Sequence, residues 1–191
     1  RDSRGHPIGQ AGFIRDLRHA RLGEERLRAL IETNKAITET LEPDQVLPLV
    51  IRSAVAAFPA ANGGSIHLYD ERADILTMDA NTYGYSPSVI AAAPFRPGEG
   101  VAGWVFQQDQ TAVVHDVEAD TRHKRIDHPE ISRQKSMICV PLHARQRVIG
   151  TLSLDNFEIA GAFQTQDLSL LSTFANQAAI AIDNARRMQE L

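Results

Sequence analysis

Apolar positions along the chain follow two different periods, and the change of period separates helices from strands. Over residues 22–41 and again from about residue 166 to the end, apolar residues recur every three or four positions, as on one face of a helix. Pro43 fits the first position of a further helix, where its missing N–H is not needed. The apolar face of that helix is formed by Val46, Leu49, Val50, Ala54 and Phe58.

The middle of the chain is rich in β-branched and aromatic residues that alternate with polar ones, which indicates antiparallel strands. Five strands are predicted, at 65–69, 74–81, 112–114, 136–143 and 148–155, and the last two form the clearest hairpin. A Pro-Gly-Glu-Gly turn at 97–100 precedes a short helix at 101–107. The long charged connection at 116–135 is predicted to be a lid or binding loop.

Composition and charge exclude several classes of function. Hydrophobic residues make up 43% and charged residues 23%, with a formal net charge of -4, so there is no basic footprint for nucleic acid. No apolar run approaches the roughly 18 residues that a membrane span needs. The lone Cys139 excludes an internal disulfide framework and CxxC zinc sites, which favours a reducing cytoplasm. The absence of an initiator Met and of a signal peptide suggests a fragment cut from a longer protein.

Five ordered motifs together resemble the GAF domain family. They are Pro-Gly-Glu-Gly-Val-Ala-Gly at 97–103, Val-Val-His-Asp-Val at 113–117, Ser-Met-Ile-Cys-Val-Pro-Leu at 136–142, Val-Ile-Gly-Thr-Leu-Ser-Leu at 148–154, and the helix through 171–185. The resemblance covers roughly residues 22–190. It implies an α/β fold of the α+β type, with a central antiparallel sheet of about six strands. The terminal helices should cover one face, and short helices and loops should cover a ligand pocket on the other.

The resemblance also implies a domain organisation. Residues 1–20 look like the closing strand of a preceding PAS domain and its linker. Residues 21–191 form the GAF domain, with a linker helix at 22–41 and a signalling helix at 166–191. The parent protein would resemble bacterial multi-sensor proteins of two-component or related systems. Their output is a histidine kinase or a cyclic-dinucleotide enzyme, which would lie beyond this chain.

Pocket residues are expected from strand alternation and from the resemblance. Alternation places Ser65, His67 and Tyr69 on one sheet face. Gly98 and Gly100 would let backbone amides approach a ligand, although a tight strand-to-helix turn is the favoured explanation. The candidate ligand-binding residues are His67, Tyr69, Gly100, Val101, Trp104, His115, Thr151 and Ser153.

The sequence leaves the cofactor unknown, and the three alternatives of haem, a cyclic nucleotide and a covalent bilin differ in their support. Haem would need an axial histidine, for which the candidates are His67, His115, His123 and His128. His123 and His128 are interpreted as solvated loop residues, and His67 is more simply explained as a structural histidine. Cyclic-nucleotide binding rests on a partial signature, Asn156, Phe163 and Asp167, in which Phe157 and Leu168 replace the expected Lys and Glu. A covalent bilin is disfavoured because Cys139 lies mid-strand.

Catalysis finds little support in the sequence. The HExxH, GxSxG, GxxxxGK[ST] and GxGxxG motifs are all absent, and no catalytic or metal-ligating residue is assigned. A lone Cys139 cannot complete the thiol cycle of the free methionine sulfoxide reductases, which are relatives of the GAF domain. The chain is therefore predicted to be a non-catalytic sensor of an unidentified small molecule.

Two helical seams predict a homodimer. Residues at the heptad-like positions of the two terminal helices are Leu27, Leu30, Asn34, Ile37, Leu41, Ala178, Ile182 and Ala185. The polar Asn34 would fix the register of the seam. Two alternatives stay open: the seams pack within one chain, or the domain binds no ligand and serves only as a dimerisation spacer.

Overall fold

A computed structural model describes residues 43–83, 87–92, 94–126 and 134–189 of the chain. In order, the elements are α1 (Pro43–Ala57), β1 (Gly63–Asp70), β2 (Ile75–Asn81), α2 (Pro87–Ala92), α3 (Gly100–Gln108), β3 (Ala112–Val114), β4 (Ser136–Ala144), β5 (Arg147–Asn156) and α4 (Asp167–Gln189). The predicted PAS-like segment, the helix at 22–41 and its seam residues Leu27, Leu30, Asn34, Ile37 and Leu41 lie outside the described residues.

The described strands form one antiparallel sheet in the order β2-β1-β5-β4-β3. This is the predicted α+β sheet, although it contains five strands within the described ranges where about six were expected. The hairpin between β4 and β5 turns at Arg145 and Gln146, which both have positive φ. Two such residues fit a primed two-residue turn, whose twist matches that of the paired strands. The predicted hairpin is confirmed.

Strand alternation gives the sheet one largely apolar face. Ile138, Val140 and Leu142 on β4 pair with Leu154, Leu152 and Gly150 on β5, and the three β4 side chains are fully buried. Helix α1 packs on β1 and on α4, and α4 packs on β4, so both helices cover this face. The predicted placement of the C-terminal helix on one face of the sheet is confirmed, and the predicted helix at 22–41 lies outside the described residues.

The opposite face of the sheet is covered by α3. Val101 and Val105 of α3 form a buried cluster with Met137 and Cys139 of β4, whose side chains alternate with the apolar set. Trp104 packs against the edge of this cluster. The two faces are therefore built differently, because most of the buried polar side chains of the strands lie on this second face, whereas the first face holds Ser136 and Asn156 at one end.

Helix α4 buries both of its apolar stripes within the same chain. Leu171, Ala175, Ala178 and Ile182 form one stripe, and all four are buried. Phe174 and Ala181 on the second stripe are buried as well. The expectation that one stripe stays free for a partner helix is corrected for Ala178 and Ile182, which are core residues of one chain. The side chain of Ala185 lies outside the described part, and the homodimer itself stays a prediction.

Gly150 allows β5 to lie unusually close to β1. A Cβ atom on Gly150 would lie 2.2 Å from the backbone oxygen of His67, so only glycine permits this approach of β5 to β1.

Pro141 lies beyond the end of β3, which pairs only with Met137 to Cys139 of β4. At Pro141 the strand is therefore a sheet edge on that side, where a missing N–H is tolerated.

Candidate functional site

Buried polar side chains run in a line across the face of the sheet that α3 covers. On β5 they occupy every second position, and each has a direct partner on β1 or β4: Ser153 is opposite Ser65 and Cys139, and Thr151 is opposite His67. All are at most 4% exposed. We call this set the polar strip, and its members are Ser65, His67, Cys139, Thr151, Ser153 and Asp155.

One end of the polar strip holds His67 and Thr151 without hydrogen-bond partners. Neither ring nitrogen of His67 nor the Thr151 hydroxyl has a partner at hydrogen-bonding distance and angle among the described residues, although the hydroxyl lies near enough to the Cys139 sulfur to lower the pKa of that thiol slightly. Phe95 lies edge-on to the imidazole, with ring centroids 5.4 Å apart. Burial lowers the pKa of His67 from 6.5 to about 4, so the ring is neutral at physiological pH. Such orphaned buried groups are costly, and they mark a place where a ligand or water can bind.

The middle of the polar strip is satisfied internally. The Ser153 hydroxyl donates to the Cys139 sulfur over 3.3 Å. Burial raises the pKa of the Cys139 thiol to about 12. A thiol of this kind stays protonated at neutral pH, which disfavours nucleophilic attack and the attachment of a chromophore.

The other end of the polar strip holds Asp155 in an unusual environment. The Tyr83 hydroxyl donates to one carboxyl oxygen of Asp155, while the other oxygen has no partner in the described ranges. Burial raises the pKa of Asp155 to about 7. Tyr83 reaches this position because Gly63 has no side chain: an added Cβ would lie 2.5 Å from the Tyr83 ring.

Sequence reasoning missed both Asp155 and Tyr83 as site residues. The signal for Asp155 was available, since it continues the alternate positions of Thr151 and Ser153 on β5. No signal pointed to Tyr83, which follows β2 and meets Asp155 only through the folded sheet.

The charged connection after β3 is bound to α3 by two of its cations. Arg122 pairs with Asp120 at 2.6 Å and lies 4.6 Å from the centre of the Trp104 ring. Lys124 pairs with Glu99 at 2.8 Å and approaches the Phe95 ring. The hydrogen bond from Arg122 lowers the pKa of Asp120, and the one from Lys124 lowers the pKa of Glu99. These contacts hold the described part of the predicted lid against α3.

His123 in the same connection is half-buried, which corrects its interpretation as a solvated residue. Its backbone N–H donates to the Asp120 carbonyl, and burial lowers the pKa of its imidazole. His128 lies outside the described residues.

The glycine-rich turn before α3 has a structural role. Gly98 and Gly100 adopt positive φ values of 83° and 66°. A Cβ on Gly100 would lie 2.8 Å from the Phe95 ring, and one on Gly103 would lie 2.3 Å from the Arg96 carbonyl oxygen. The turn therefore packs closely against α3 and positions Phe95 over the polar strip. Of the other predicted pocket residues here, Val101 is in the apolar cluster and Trp104 lies beneath Arg122.

Two further predicted pocket residues are not brought to the polar strip. The Tyr69 hydroxyl donates to Asp74 over 2.7 Å and its ring packs on Phe106, both at the solvent-facing end of β1. His115 is exposed after β3, and its carbonyl accepts the Gly161 N–H. Tyr69 and His115 therefore lie away from the polar strip, and a role for either in ligand binding stays a prediction.

The partial cyclic-nucleotide signature has structural roles throughout. Asn156 accepts N–H groups from Glu158 and Ile159 and donates to the Ala60 carbonyl. Phe163 is fully buried, and the Asp167 carboxylate accepts the Gln164 N–H at the start of α4. These residues shape the loop between β5 and α4 and give no support for nucleotide recognition.

Two features are absent from the described residues. These residues contain no helix that is both long and apolar enough to cross a membrane. They also bring together no group of three or more His, Cys, Asp or Glu side chains able to hold a metal ion.

Comparison with known proteins assigns the family. A family model described as "GAF domain" matches residues 40–183, and the chain belongs to this family. It is 25% identical over 169 residues to the nitrogen fixation protein VnfA of Azotobacter vinelandii, covering 85% of this chain. The chain spans only 32% of the length of VnfA.

Solved structures share the fold. The GAF domain of an Acinetobacter phosphoenolpyruvate-protein phosphotransferase has a TM-score of 0.72 at 20% identity, covering 89% of this chain and 98% of that one. A free methionine-R-sulfoxide reductase from Neisseria meningitidis, in complex with its substrate, has a TM-score of 0.69 at 24% identity, covering 85% and 91%. At these identities the likeness concerns the fold.

Proposed function

We propose that this GAF domain is a non-catalytic sensor that binds a small molecule at the polar strip and reports binding through its terminal helices. The observation that carries the proposal is the set of buried polar atoms without described partners on His67, Thr151 and Asp155. A domain that only spaced its neighbours would gain stability by replacing these groups with apolar ones, because orphaned polar groups are costly.

The sheet offers a short route from the polar strip to α4. Thr151, Ser153 and Asp155 alternate along β5 with Leu152 and Leu154, which lie in the core beneath the helices. A ligand that shifts β5 would therefore move groups on which α1 and α4 rest. Such a change requires that the ligand binds one packing arrangement of the helices better than the other.

The turn between β4 and β5 adds a direct link to α4. Arg145 in this turn forms an ion pair with Asp183 at 2.8 Å. Because Asp183 lies near the C-terminal end of α4, the turn and the output end of the helix would move together. In our proposal α4 passes this change across a homodimer to an output domain of the parent protein, such as a histidine kinase or a cyclic-dinucleotide enzyme, in the cytoplasm.

If the chain were instead an enzyme of the sulfoxide reductase type, it would have to use the thiol of Cys139, and burial makes this thiol poorly reactive. The sulfoxide reductase that shares the fold reduces free methionine-R-sulfoxide according to its name. In this chain the lone Cys139 is fully buried, with its pKa raised to about 12 by burial. We therefore expect no turnover of methionine sulfoxide by the purified chain. Measurable reductase activity would contradict the non-catalytic proposal.

Native mass spectrometry of the chain, purified without added ligand, tests the proposal most directly. A fixed, non-covalent extra mass on each chain, lost on denaturation, supports the sensor and gives the class of its ligand, haem and cyclic nucleotides included. The same spectra report the oligomeric state. A bare dimer would favour the spacer alternative, and a bare monomer would contradict relay through a dimer.

A further inference from the structure

The unpaired atoms at the His67 end of the polar strip require both a donor and an acceptor from any ligand. A neutral imidazole has one N–H that donates and one nitrogen that accepts, and a hydroxyl can do either. His67 and Thr151 face each other across β1 and β5, so one ligand group can reach both. A carboxylate can only accept and an ammonium can only donate, so each would leave part of this pair unsatisfied.

The charges around the polar strip disfavour an anion. Helix α3, which covers it, carries no ionisable residue. Among the described residues, Arg122 and Lys124 approach from the connection, and both are already paired with Asp120 and Glu99. Burying an anion beside neutral groups without a cation is strongly unfavourable. Asp155, about 13 Å further along β5 at about 3.3 Å per residue, adds only a carboxyl group.

We propose that His67 and Thr151 form a subsite for an uncharged amide-like group, such as a carboxamide, lactam or ureido group, and that anionic analogues of the same shape are rejected. This inference rests on the proposed function, because it names the chemistry of the ligand at that same site. An amide carbonyl accepts from the imidazole N–H or the hydroxyl, and the amide N–H donates to the remaining acceptor. One amide group placed between the two side chains thus satisfies two of the three orphaned atoms, one as a donor and one as an acceptor.

Matched pairs of small probes test this subsite in the full 191-residue chain. Acetamide and acetate have the same shape, as do nicotinamide and nicotinate, and each pair differs in charge at neutral pH. Methylammonium serves as a probe that only donates. The readout is the NMR signal of the His67 ring carbon, assigned with the His67→Gln variant.

We expect saturable shifts of the His67 signal with the amides, and binding of the matching carboxylates weaker by at least about tenfold. Thr151→Val should weaken amide binding by about fivefold, as expected for one neutral hydrogen bond. His143→Gln, at an exposed histidine that contacts Asp109, is the control and should leave amide binding unchanged.

Several outcomes would overturn the inference. Acetate, nicotinate or methylammonium binding as tightly as the amides would do so, and so would a His67 signal that no probe shifts. The proposed function is judged separately by the co-purified ligand. A co-purified anion bound at the polar strip would reject the amide subsite and leave the sensor intact, whereas a bare protein that also ignores every probe would count against both.

Discussion

The His67 imidazole and the Thr151 hydroxyl lie on directly paired residues of β1 and β5, and both are buried without a hydrogen-bond partner in the described part of the chain. Two polar groups that could each serve a ligand are thus held side by side on rigid strands. Without a ligand, the unpaired imidazole and hydroxyl should lower the free energy of unfolding, and substitution can measure this effect.

Thr151→Val should stabilise the ligand-free protein by about 1 kcal/mol, because it removes an unpaired buried hydroxyl and keeps the shape of the side chain. Ser153→Ala is the matched control on the same strand. Its hydroxyl donates to Cys139, so its removal should cost about 1 kcal/mol. Urea unfolding with unchanged m-values measures both. If the two substitutions destabilise equally, the Thr151 hydroxyl is bonded, for instance to a buried water.

His67 and Asp155 should contribute opposite pH dependences to stability. Asp155 titrates at about 7 in the folded protein against an ordinary 3.8, so the folded state retains a proton and stability falls as the pH rises through this window. His67 titrates at about 4 against 6.5, so the unfolded state binds the extra proton and stability rises with pH over that window. Each slope approaches at most about 1.4 kcal/mol per pH unit.

Single substitutions should separate these two contributions. His67→Leu leaves the Asp155 contribution, so stability should fall between pH 4 and 7, whereas Asp155→Asn leaves the His67 contribution and should reverse the slope. Glu158→Gln, at an exposed carboxylate after β5, should reproduce the parent profile. Chemical denaturation across this pH range measures all four proteins. Parallel curves for the two variants would rule out the opposed titrations.

Tyr83→Phe should raise the pKa of Asp155 further, because the Tyr83 hydroxyl hydrogen bond favours the ionised carboxylate. Carboxyl carbon NMR of the folded protein measures this pKa directly. Tyr69→Phe is the control, since its hydroxyl contacts the exposed Asp74 instead. An unchanged or lowered pKa in Tyr83→Phe would mean that Tyr83 does not stabilise the charged form.

Gly103→Ala should destabilise the domain by at least about 2 kcal/mol, although alanine is normally the better helix former by about 1 kcal/mol. The reason is steric, because the new Cβ would lie 2.3 Å from the Arg96 carbonyl oxygen. Gln107→Ala, at an exposed position of the same helix, should change stability little. Thermal unfolding of both variants measures the difference. A neutral Gly103→Ala would show that the turn before α3 is free to move.

Cys139 should resist alkylation by iodoacetamide at neutral pH in the folded protein and react once the chain is unfolded. Burial raises its pKa to about 12, and the thiolate is the reactive form. Mass spectrometry after timed labelling, with and without urea, gives both rates. Rapid labelling of the native protein would reopen thiol chemistry as a function.

The fold could be predicted from sequence because its periodic patterns extend over whole elements. Helix α1 begins at Pro43 as expected, and the predicted strands correspond to β1 through β5 within a few residues. The close approach of β5 to β1 likewise depends on one residue type, since only glycine at position 150 permits it. Strand and helix patterns are local properties, and they carry over directly into structure.

The site was predicted only in part, because its geometry depends on contacts distant in sequence. His67 was found by alternation, and Thr151 and Ser153 were found by the family resemblance; the three lie together on the polar strip. Tyr69 obeys the same alternation but lies where β1 reaches solvent, next to Asp74. Helix α4 shows the same limit: a heptad-like stripe does not reveal whether it meets the sheet or another chain, and Ala178 and Ile182 meet the core.

The turn at Arg145 places two requirements on one residue. Arg145 has φ 48°, a left-handed conformation that asparagine or glycine adopts at a lower energetic cost. Yet neither of those residues could reach Asp183 with a positive charge, as Arg145 does. Stabilising this hairpin by introducing the preferred turn residues would therefore remove the ion pair between the turn and α4. In the proposed relay, a domain made more stable in this way would transmit less of the change at the polar strip to α4.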